Sequence, residues 1–393
     1  MNSKYNFDEI VDRKNTNSIK WDYYKKFMNV EKDLLPMWVA DMDFKAPPEV
    51  IKALKKRASH GIYGYSGKPE SYYNAIINWV DKRYNWQIKK DWIVYTPGIV
   101  PAINIAIDKF TEPGDGIVVQ KPVYFPFFQS VNNQNRKVVN NNLVIEDGKY
   151  IMNFDDLEQK IADDTKMILL CSPHNPVGRV WNRKELEKLG EIAEKNDLLV
   201  FSDEIHADLI LNNNQHIPFA SLSSELTSRT ITGFSPSKTF NIAGLYASAI
   251  VIPEKNLREK FKEVINRYHL YHTNCFAIEG LETAYRYGEN WLEELLTYLE
   301  NNLKITNEVL GDIEKLNIFE PEGTFLVWLD FRDFNLSHEE IKNIIIEKAG
   351  LLLNDGKMFG SNGEKFMRLN IGTPRRKLEK GLKKLRKEFV GKK

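Results

Sequence analysis

The sequence predicts an α/β fold in which a large domain, with a mainly parallel mixed sheet between layers of helices, is followed by a small α+β C-terminal domain. Three observations support this prediction. The chain has 393 residues, more than one core usually encloses. Between about residue 90 and residue 255, apolar strand-like runs alternate with helical stretches. After about residue 255 long helical patterns come first, and a short mixture of strands and helices follows.

Six apolar runs indicate the strands of the large domain. Most of them are continuously apolar, as expected for strands that are buried on both faces. The predicted strands cover residues 92–95, 116–120, 167–171, 198–202, 230–232 and 247–252. Between two of them, residues 183–195 place Leu186, Leu189 and Ile192 on one helical face, with Asn182 at the N-cap position. This strand–helix–strand order is typical of a parallel sheet covered by helices.

The C-terminal third shows the elements of a smaller unit. In order, they are helices over 255–315, a strand at 325–330, a helix that begins at Ser337 with Glu340 at capping-box spacing, a strand at 366–371 and a last helix near Pro374. We therefore divide the chain into three parts. Residues 1–49 join the small domain or lie across the entrance to the site, residues 50–290 form the large domain, and residues 291–393 form the small domain.

Composition and charge exclude several functional classes. Lys and Arg number 55 and Asp and Glu 54, so a net charge of +1 gives no reason to expect nucleic acid or an anionic membrane as partner. The sequence has neither a signal peptide nor an apolar run long enough to cross a bilayer. Cys171 and Cys275 have no disulfide-like or metal-ligand spacing. We expect a cytoplasmic protein without a metal site.

Two of the loops that follow predicted strands contain turn-forming residues, and the first of them suits the binding of a phosphate. In an open α/β sheet, ligands bind beyond the carboxyl ends of the strands. After the first predicted strand, Gly98 leads into a helix whose free backbone N–H groups and dipole suit a phosphate. After the third, Asn175 lies in a loop of turn-forming residues. Taken singly, each also fits a purely structural turn.

The next two loops carry titratable groups. Asp203, Glu204 and His206 follow the fourth strand and are costly if buried without partners, although exposed charges are an equally good interpretation of this segment alone. A zinc site there is conceivable, but the spacing matches no established motif. Lys238 follows the fifth strand between hydroxyl residues, and the pKa of a buried lysine falls readily, as Schiff-base chemistry requires. The order of the four loops along the chain makes Lys238 informative.

Six sequence blocks then point to a family. They are MWVADMDF at 37–44, HGIYGYS at 60–66, SPHNPVGRVW at 172–181, SDEIH at 202–206, SPSK at 235–238 and RLNIGTPR at 368–375. Together they resemble the class I/II aminotransferase family of pyridoxal 5′-phosphate (PLP) enzymes of fold type I, and within it the C–S lyase branch, the cystathionine β-lyases of the MalY/PatB type. The resemblance extends from about residue 30 to the C-terminal helix.

The resemblance implies how the PLP ring is bound. Lys238 would bind the cofactor covalently and later move the Cα proton of the substrate. Asp203 would pair with the ring nitrogen and keep it protonated, which makes the ring an electron sink. Asn175 would donate a hydrogen bond to O3′, with His206 beside it. Tyr124 would stack on the ring and either accept the proton of the incoming amine or assist the leaving sulfur.

The resemblance also assigns the phosphate, the substrate and the oligomer. The phosphate would lie on the backbone at Gly98, Ile99 and Val100 and on the hydroxyls of Ser235 and Ser237. Arg368 would bind the carboxylate of an amino-acid substrate through two parallel hydrogen bonds, and Trp38 and Asn274 are further substrate-contact candidates. Family members complete each site with a tyrosine of the neighbouring subunit, here Tyr65, which implies a homodimer.

One residue type favours elimination over transamination. Related aminotransferases have tyrosine where this chain has His206, and loss of that phenol alters the electronics of the cofactor. We therefore expect α,β-elimination of L-cystathionine or related cysteine S-conjugates to a thiol (homocysteine), pyruvate and ammonia. The alternatives are a PLP-dependent aminotransferase and a PLP-fold protein that acts as a regulator by binding another protein. In the loop 353–360, Asp355 replaces a proline common in relatives, so the preference for side chains beyond Cβ is open.

Overall fold

The computed structural model describes residues 4–392. The helices are α1 Tyr24–Met28, α2 Pro48–Ser59, α3 Glu70–Tyr84, α4 Ile99–Phe110, α5 Pro126–Asn133, α6 Phe154–Lys160, α7 Arg183–Lys195, α8 Ser224–Ser228, α9 Pro236–Thr239, α10 Lys255–Arg267, α11 Cys275–Tyr287, α12 Glu289–Leu310, α13 His338–Asn343 and α14 Arg375–Phe389. Between residues 4 and 392, none of these helices combines the length and the apolar composition that a bilayer crossing needs.

The strands follow the same chain order. They are β1 Leu35–Pro36, β2 Ile93–Thr96, β3 Gly116–Val119, β4 Lys137–Asn140, β5 Val144–Glu146, β6 Lys149–Ile151, β7 Thr165–Cys171, β8 Leu199–Asp203, β9 Thr230–Phe234, β10 Ser248–Val251, β11 Asn317–Phe319, β12 Leu326–Asp330, β13 Leu351–Leu352, β14 Asn354–Asp355 and β15 Phe366–Asn370. The six predicted strands of the large domain are all present, each shifted by at most two residues at either end.

A seven-stranded sheet forms the centre of the large domain, in the order β2-β10-β9-β8-β7-β3-β4. The pairs from β9 to β4 are parallel, whereas β10 is antiparallel to both β2 and β9. Along β3, Ile117 and Val119 join the core on one face and Val118 joins the core on the other. Both faces of the sheet are therefore covered, which confirms the predicted α/β fold.

The strand β4 was missed from the sequence. Its residues, Lys137–Asn140, are exposed or only partly buried, since it lies at the edge of the sheet. An edge strand with one lysine and one asparagine lacks the continuous apolar pattern that indicated the other strands.

The small domain has its own four-stranded sheet in the order β11-β12-β15-β14, with antiparallel pairs. The predicted capping box at Ser337 and Glu340 opens α13. Asn182 is the N-cap of α7 as predicted, and the structure adds that it forms a capping box with Glu185. The N-terminal strand β1 pairs in parallel with β13, which places Leu35 opposite Leu351. The segment after β1 thereby lies between the two sheets.

The sheet brings the four chemically unusual loops to one edge. Strands β2, β7, β8 and β9 point in the same direction, because β2 and β9 are both antiparallel to β10. Their carboxyl ends lead directly to the loops that carry Gly98, Asn175, Asp203 and Lys238. The candidate site lies at this edge of the sheet and faces β15 of the small domain, which carries Arg368.

Candidate active site

A cavity of about 500 Å³ lies where the four loops meet. The predicted residues that line it are Trp38, Gly98, Ile99, Val100, Tyr124, Asn175, Asp203, His206, Ser237, Lys238 and Arg368. Ser235, Tyr65 and Asn274 are not among its lining residues. The cavity walls come from the large domain, from the small domain through Arg368, and from the N-terminal segment through Trp38 and Ala40.

The N-terminus of α4 opens at the cavity. Gly98 is the N-cap residue, with a φ of 144° that side chains other than glycine rarely adopt. No side chain caps this helix. Ile99 and Val100, whose N–H groups begin the first turn, line the cavity. Four backbone donors are unpaired at a helix start, and the dipole adds positive potential. The end of α4 therefore suits an anionic group such as phosphate.

Ser235 and Ser237 have different positions. Ser237 lines the cavity, whereas Ser235 caps α9, the short helix that carries Lys238. The Ser235 hydroxyl accepts a hydrogen bond from the backbone N–H of Ser237 at 3.2 Å and lies 2.7 Å from the carbonyl oxygen of Ala247. The Ser235 hydroxyl also lies 2.7 Å from the hydroxyl of Ser237, so it stands next to the cavity-lining group, and its direct contact with phosphate stays a prediction.

The amino group of Lys238 lies inside the cavity. Its Nζ donates a hydrogen bond to the backbone oxygen of Ala40, at 2.8 Å. Burial lowers the pKa of Lys238, and the charge of Arg368 acts in the same direction, while Asp41 and Asp203 oppose the shift. A lysine with a lowered pKa holds more of the neutral amine at working pH, which is the form that attacks a carbonyl carbon or accepts a proton.

Asp203 is a buried carboxylate that forms no ion pair with any residue between 4 and 392. Its Oδ1 accepts a hydrogen bond from the backbone N–H of Ile205 at 3.1 Å. Burial raises the pKa of Asp203 to about 7, because nothing positive in contact with it compensates the lost hydration. A ligand that brings a cationic N–H to this carboxylate would remove that penalty.

His206 lies next to Asp203 on the cavity wall and is buried. Burial lowers the pKa of His206 to about 3, and the charges of Lys238 and Arg368 act in the same direction. The ring is therefore neutral at physiological pH. Its Nδ1 has no hydrogen-bond partner in the described part of the chain, so it is available to a ligand.

Glu204 points to different partners and does not join a metal site with Asp203 and His206. Its two carboxylate oxygens contact the Nε2 of His216 at 2.7 Å, the hydroxyl of Ser202 at 2.8 Å and the N–H of Phe219 at 3.0 Å. No cluster of three or more His, Cys, Asp or Glu side chains suited to a metal ion occurs over residues 4–392.

Arg368 is the cationic counterpart of Asp203 across the cavity. It is buried, and its guanidinium donates to Asn175 Oδ1 at 2.7 Å, to Asn354 Oδ1 at 2.6 Å and to the backbone oxygen of Trp38 at 3.2 Å. It forms no ion pair in the described range, and burial lowers its pKa to about 9, so it stays protonated at neutral pH. A buried guanidinium held by neutral acceptors suits a carboxylate ligand.

Several residues that hold the site in place were missed in the sequence. Asn241 binds the segment 42–44: its Oδ1 accepts from Met42 N–H at 2.9 Å, and its Nδ2 donates to the carbonyl oxygens of Met42 and Phe44. This segment follows Ala40, the acceptor of Lys238. Asn354 holds Arg368 from the other side. These contacts were missed because the residues that form them are distant along the chain. In the sequence, only the block 37–44 and the unusual loop 353–360 drew attention to the segments involved.

A partly buried ionic cluster fixes the same N-terminal segment. Arg13 pairs with Asp41 at 2.8 Å and with Asp43 at 2.9 Å. Lys20, which is fully buried, lies 3.5 Å and 3.4 Å from the same two carboxylates. Lys20 also offers its backbone oxygen to the indole N–H of Trp38, at 3.2 Å. The segment that contributes Trp38 and Ala40 to the cavity is therefore held on both of its flanks.

Asn274 and Tyr65 lie outside the cavity of their own chain. Asn274 is exposed and caps α11, since its Oδ1 accepts from Ala277 N–H at 2.7 Å and its Nδ2 donates to the oxygen of Leu245 at 3.2 Å. Both ends of the amide thus have partners within the chain, and the substrate contact of Asn274 stays a prediction. Tyr65 is 94% exposed, with its ring centroid 5.1 Å from that of His272.

The donor set fits PLP. The uncapped start of α4 with Ser237 would hold the phosphate, Lys238 would bind the aldehyde carbon, and the unpaired carboxylate of Asp203 would receive the ring nitrogen. Arg368, which is held only by neutral acceptors, would bind the carboxylate of an amino acid. One buried anion and one buried cation, each without an ionic partner among residues 4–392, match the two complementary charges that cofactor and substrate bring.

Comparison with protein families gives a match over most of the chain. The family model for aminotransferase class I and II matches residues 32–385. The cystathionine β-lyase PatB of Bacillus subtilis is 43% identical over 383 residues, which cover 97% of this chain and 99% of that protein.

Two solved structures extend the likeness to three dimensions. Cystalysin of Treponema denticola, which contains PLP, superposes with a TM-score of 0.94 at 37% identity and covers 98% of both chains. The PLP-bound C–S lyase of Staphylococcus hominis superposes with a TM-score of 0.89 at 33% identity and again covers 98% of both chains.

Proposed function

Because the chain belongs to the aminotransferase class I and II family of PLP-dependent enzymes, we propose that it catalyses α,β-elimination of L-cystathionine or related cysteine S-conjugates. The products are a thiol, pyruvate and ammonia. The observation that carries the proposal is the match over nearly the whole length to proteins named as cystathionine β-lyase and C–S lyase. The cavity supports it with a basic lysine, an unpaired aspartate and an unpaired arginine.

The residues of the cavity divide the work of the reaction. PLP, when bound, supplies an electron sink for negative charge that develops at the substrate Cα. Arg368 binds the substrate carboxylate with two parallel N–H groups and so orients the Cα–H bond. Lys238 Nζ takes the proton from Cα, and burial lowers its pKa, which favours the neutral amine that this role requires.

Tyr124 is the candidate for the leaving group. Burial raises the pKa of Tyr124, so its phenol keeps its proton at physiological pH. As the Cβ–S bond breaks, the electron pair leaves with sulfur, and the phenol donates its proton to the departing thiolate. The backbone N–H of Tyr124 donates to the oxygen of Asn175 at 3.0 Å, which holds the phenol-bearing loop against the loop that contacts Arg368.

The direct test supplies the purified, PLP-loaded protein with L-cystathionine. We expect pyruvate to be released with no 2-oxo acid added, at a turnover within the usual enzymatic range of about 1–10³ s⁻¹. Coupled reduction of pyruvate measures it continuously. Failure to release pyruvate, together with formation of a new amino acid only after a 2-oxo acid is added, would support the aminotransferase alternative. Absence of any turnover would support the regulatory one.

The enzyme acts as a homodimer in this proposal, with Tyr65 reaching the cavity of the partner. What supports it is a set of exposed aromatic and apolar side chains, which includes Ile62, Tyr63, Tyr65 and Tyr271. Tyr246 is also 64% exposed, and it lines the cavity. An exposed apolar patch of this kind is typical of a protein interface.

Mixed dimers test the position of Tyr65. The variants Tyr65→Ala and Lys238→Ala should each be nearly inactive alone. After joint unfolding and refolding in equal amounts, about a quarter of the wild-type activity should return, because half of the dimers contain one intact site. No recovery, with mixed dimers demonstrated by tagged chains, would place Tyr65 in the cavity of its own chain.

A cytoplasmic location is part of the same proposal. Both cysteines, Cys171 and Cys275, are buried and unpaired, which fits a reducing compartment.

A further inference from the structure

A second cavity of about 230 Å³ adjoins the first. We call it the side pocket. Its apolar lining includes Met28, Ile345, Ile346, Leu352, Met358 and Met367. Met358 also lines the candidate active site, so one flexible side chain borders both cavities. The side pocket greatly exceeds the space of one water molecule in the liquid, about 30 Å³.

The charged residues of the side pocket are already satisfied. Lys342 and Asp355 lie on its wall. Asp355 accepts a hydrogen bond from His338 Nε2 at 2.9 Å, and its other oxygen pairs with Lys342 at 3.4 Å. The other ring nitrogen of His338 accepts from Lys365 N–H, which leaves the proton on Nε2. The pocket therefore offers apolar surface and no uncompensated charge, so it suits an uncharged occupant.

The position of Met358 connects the side pocket to bound substrate. Arg368 donates to Asn354 Oδ1 at 2.6 Å, and Asn354 Nδ2 lies 3.9 Å from the sulfur of Met358. An amino acid whose carboxylate is bound by Arg368 thus lies two side-chain contacts from the border of the pocket. Methionine has three rotatable bonds and adapts to different neighbours, which suits a movable partition.

The backbone at the side pocket is also unusual. Ile345 and Ile346 lie on a π-helical segment, Ile344–Lys348, that directly continues α13. Such segments are rare and are frequently found at functional sites. The loop on the opposite side carries Asp355, the residue that departs from the pattern of relatives.

From these contacts we propose that the side pocket binds an apolar substituent on the sulfur of the substrate, and that Met358 controls access to it. This inference rests on the proposed elimination activity. Its consequence is a preference for cysteine S-conjugates with long alkyl groups over S-methyl-L-cysteine, and over L-cystathionine, whose far end is a zwitterion.

The test compares pyruvate release from S-hexyl-L-cysteine, S-methyl-L-cysteine and L-cystathionine. Ile346 lines the side pocket and not the candidate active site, so Ile346→Phe should fill the side pocket alone. The ratio of kcat/KM for the hexyl substrate to kcat/KM for the methyl substrate should then fall about tenfold. This is the loss expected when roughly two methylene groups are no longer buried. Met358→Ala should raise the same ratio. Ile145→Phe, at an exposed position on β5, is the matched control.

Three results would overturn the inference while pyruvate is still released. They are a hexyl-to-methyl ratio that Ile346→Phe leaves at the wild-type value, no preference for the hexyl substrate in the wild type, and a preference for L-cystathionine.

If no substrate yields pyruvate, the proposed function fails, and calorimetry still tests the pocket. Binding of 2-aminodecanoate, which has no leaving group, should weaken about tenfold in Ile346→Phe and not in Ile145→Phe. Equal binding by both variants would contradict the inference.

Discussion

Replacement of Lys238 by alanine is expected to lower the rate of pyruvate release at least about 10³-fold and to abolish covalent attachment of PLP. Lys238 has the one amino group among the lining residues of the cavity, and its Nζ is held by Ala40 at 2.8 Å. A positioned general base alone contributes about 10²- to 10⁴-fold, and the variant also loses the bond to the cofactor. Continuous pyruvate assay measures the first effect.

Borohydride reduction followed by peptide mass mapping measures the second effect, the loss of covalent PLP attachment. In the wild type, the phosphopyridoxyl group should lie on the peptide with Lys238, and in the variant it should be missing. Lys121→Ala is the matched control, because burial also lowers the pKa of Lys121 although it does not line the cavity. An adduct on another lysine of the wild type would contradict the assignment. A biological phenotype that survives Lys238→Ala would favour the regulatory alternative.

Asp203→Asn is expected to lower kcat at least about 100-fold while the protein remains folded. Asp203 lines the cavity, and in the proposed site its carboxylate would pair with the ring nitrogen of PLP, whereas a neutral amide cannot stabilise the protonated ring. Electrostatic stabilisation removed from a buried site commonly costs 10²- to 10³-fold in kcat. Pyruvate assay at saturating PLP separates this loss from weaker cofactor binding, and an unchanged kcat would contradict the role of Asp203.

The same substitution should stabilise the cofactor-free protein at high pH. Burial raises the pKa of Asp203 to about 7 in the folded chain, whereas the unfolded chain has the ordinary value near 4. Between these values the folded state holds a proton that the unfolded state has lost. The free energy of unfolding therefore falls as pH rises through this window, by on the order of 4 kcal/mol at most. Asparagine does not titrate and escapes this loss.

Urea unfolding of the apoprotein at pH 5 and pH 8 checks the sign. Between pH 5 and pH 8, the free energy of unfolding should fall further in the wild type than in Asp203→Asn. Saturating PLP should raise the free energy of unfolding more in the wild type than in this variant. Asp197→Asn, at an exposed position, serves as the control and should leave the difference unchanged. An equal pH dependence in wild type and Asp203→Asn would show that the carboxylate is already compensated.

The sheet was predictable because its strands are buried on both faces. Such strands have continuous apolar patterns, so the runs that lead to Gly98, Asn175, Asp203 and Lys238 stand out in the sequence. Their parallel order then requires the loops to meet at one edge. The exposed strand β4 escaped prediction because an edge strand needs no such pattern.

By itself, the sequence determined the α/β fold, the family and the main chemical groups of the site, since these depend on local patterns and on blocks that are short along the chain. Only the tertiary structure decided which side chains hold those groups. The carbonyl oxygen of Ala40 beside Lys238, Asn354 beside Arg368 and the cluster around Asp43 all join residues distant in sequence. It also showed that Ser237 lines the cavity, that Ser235 caps α9 and that Asn274 caps α11. Hydrogen bonds and burial depend on where distant segments meet, and no local pattern records that.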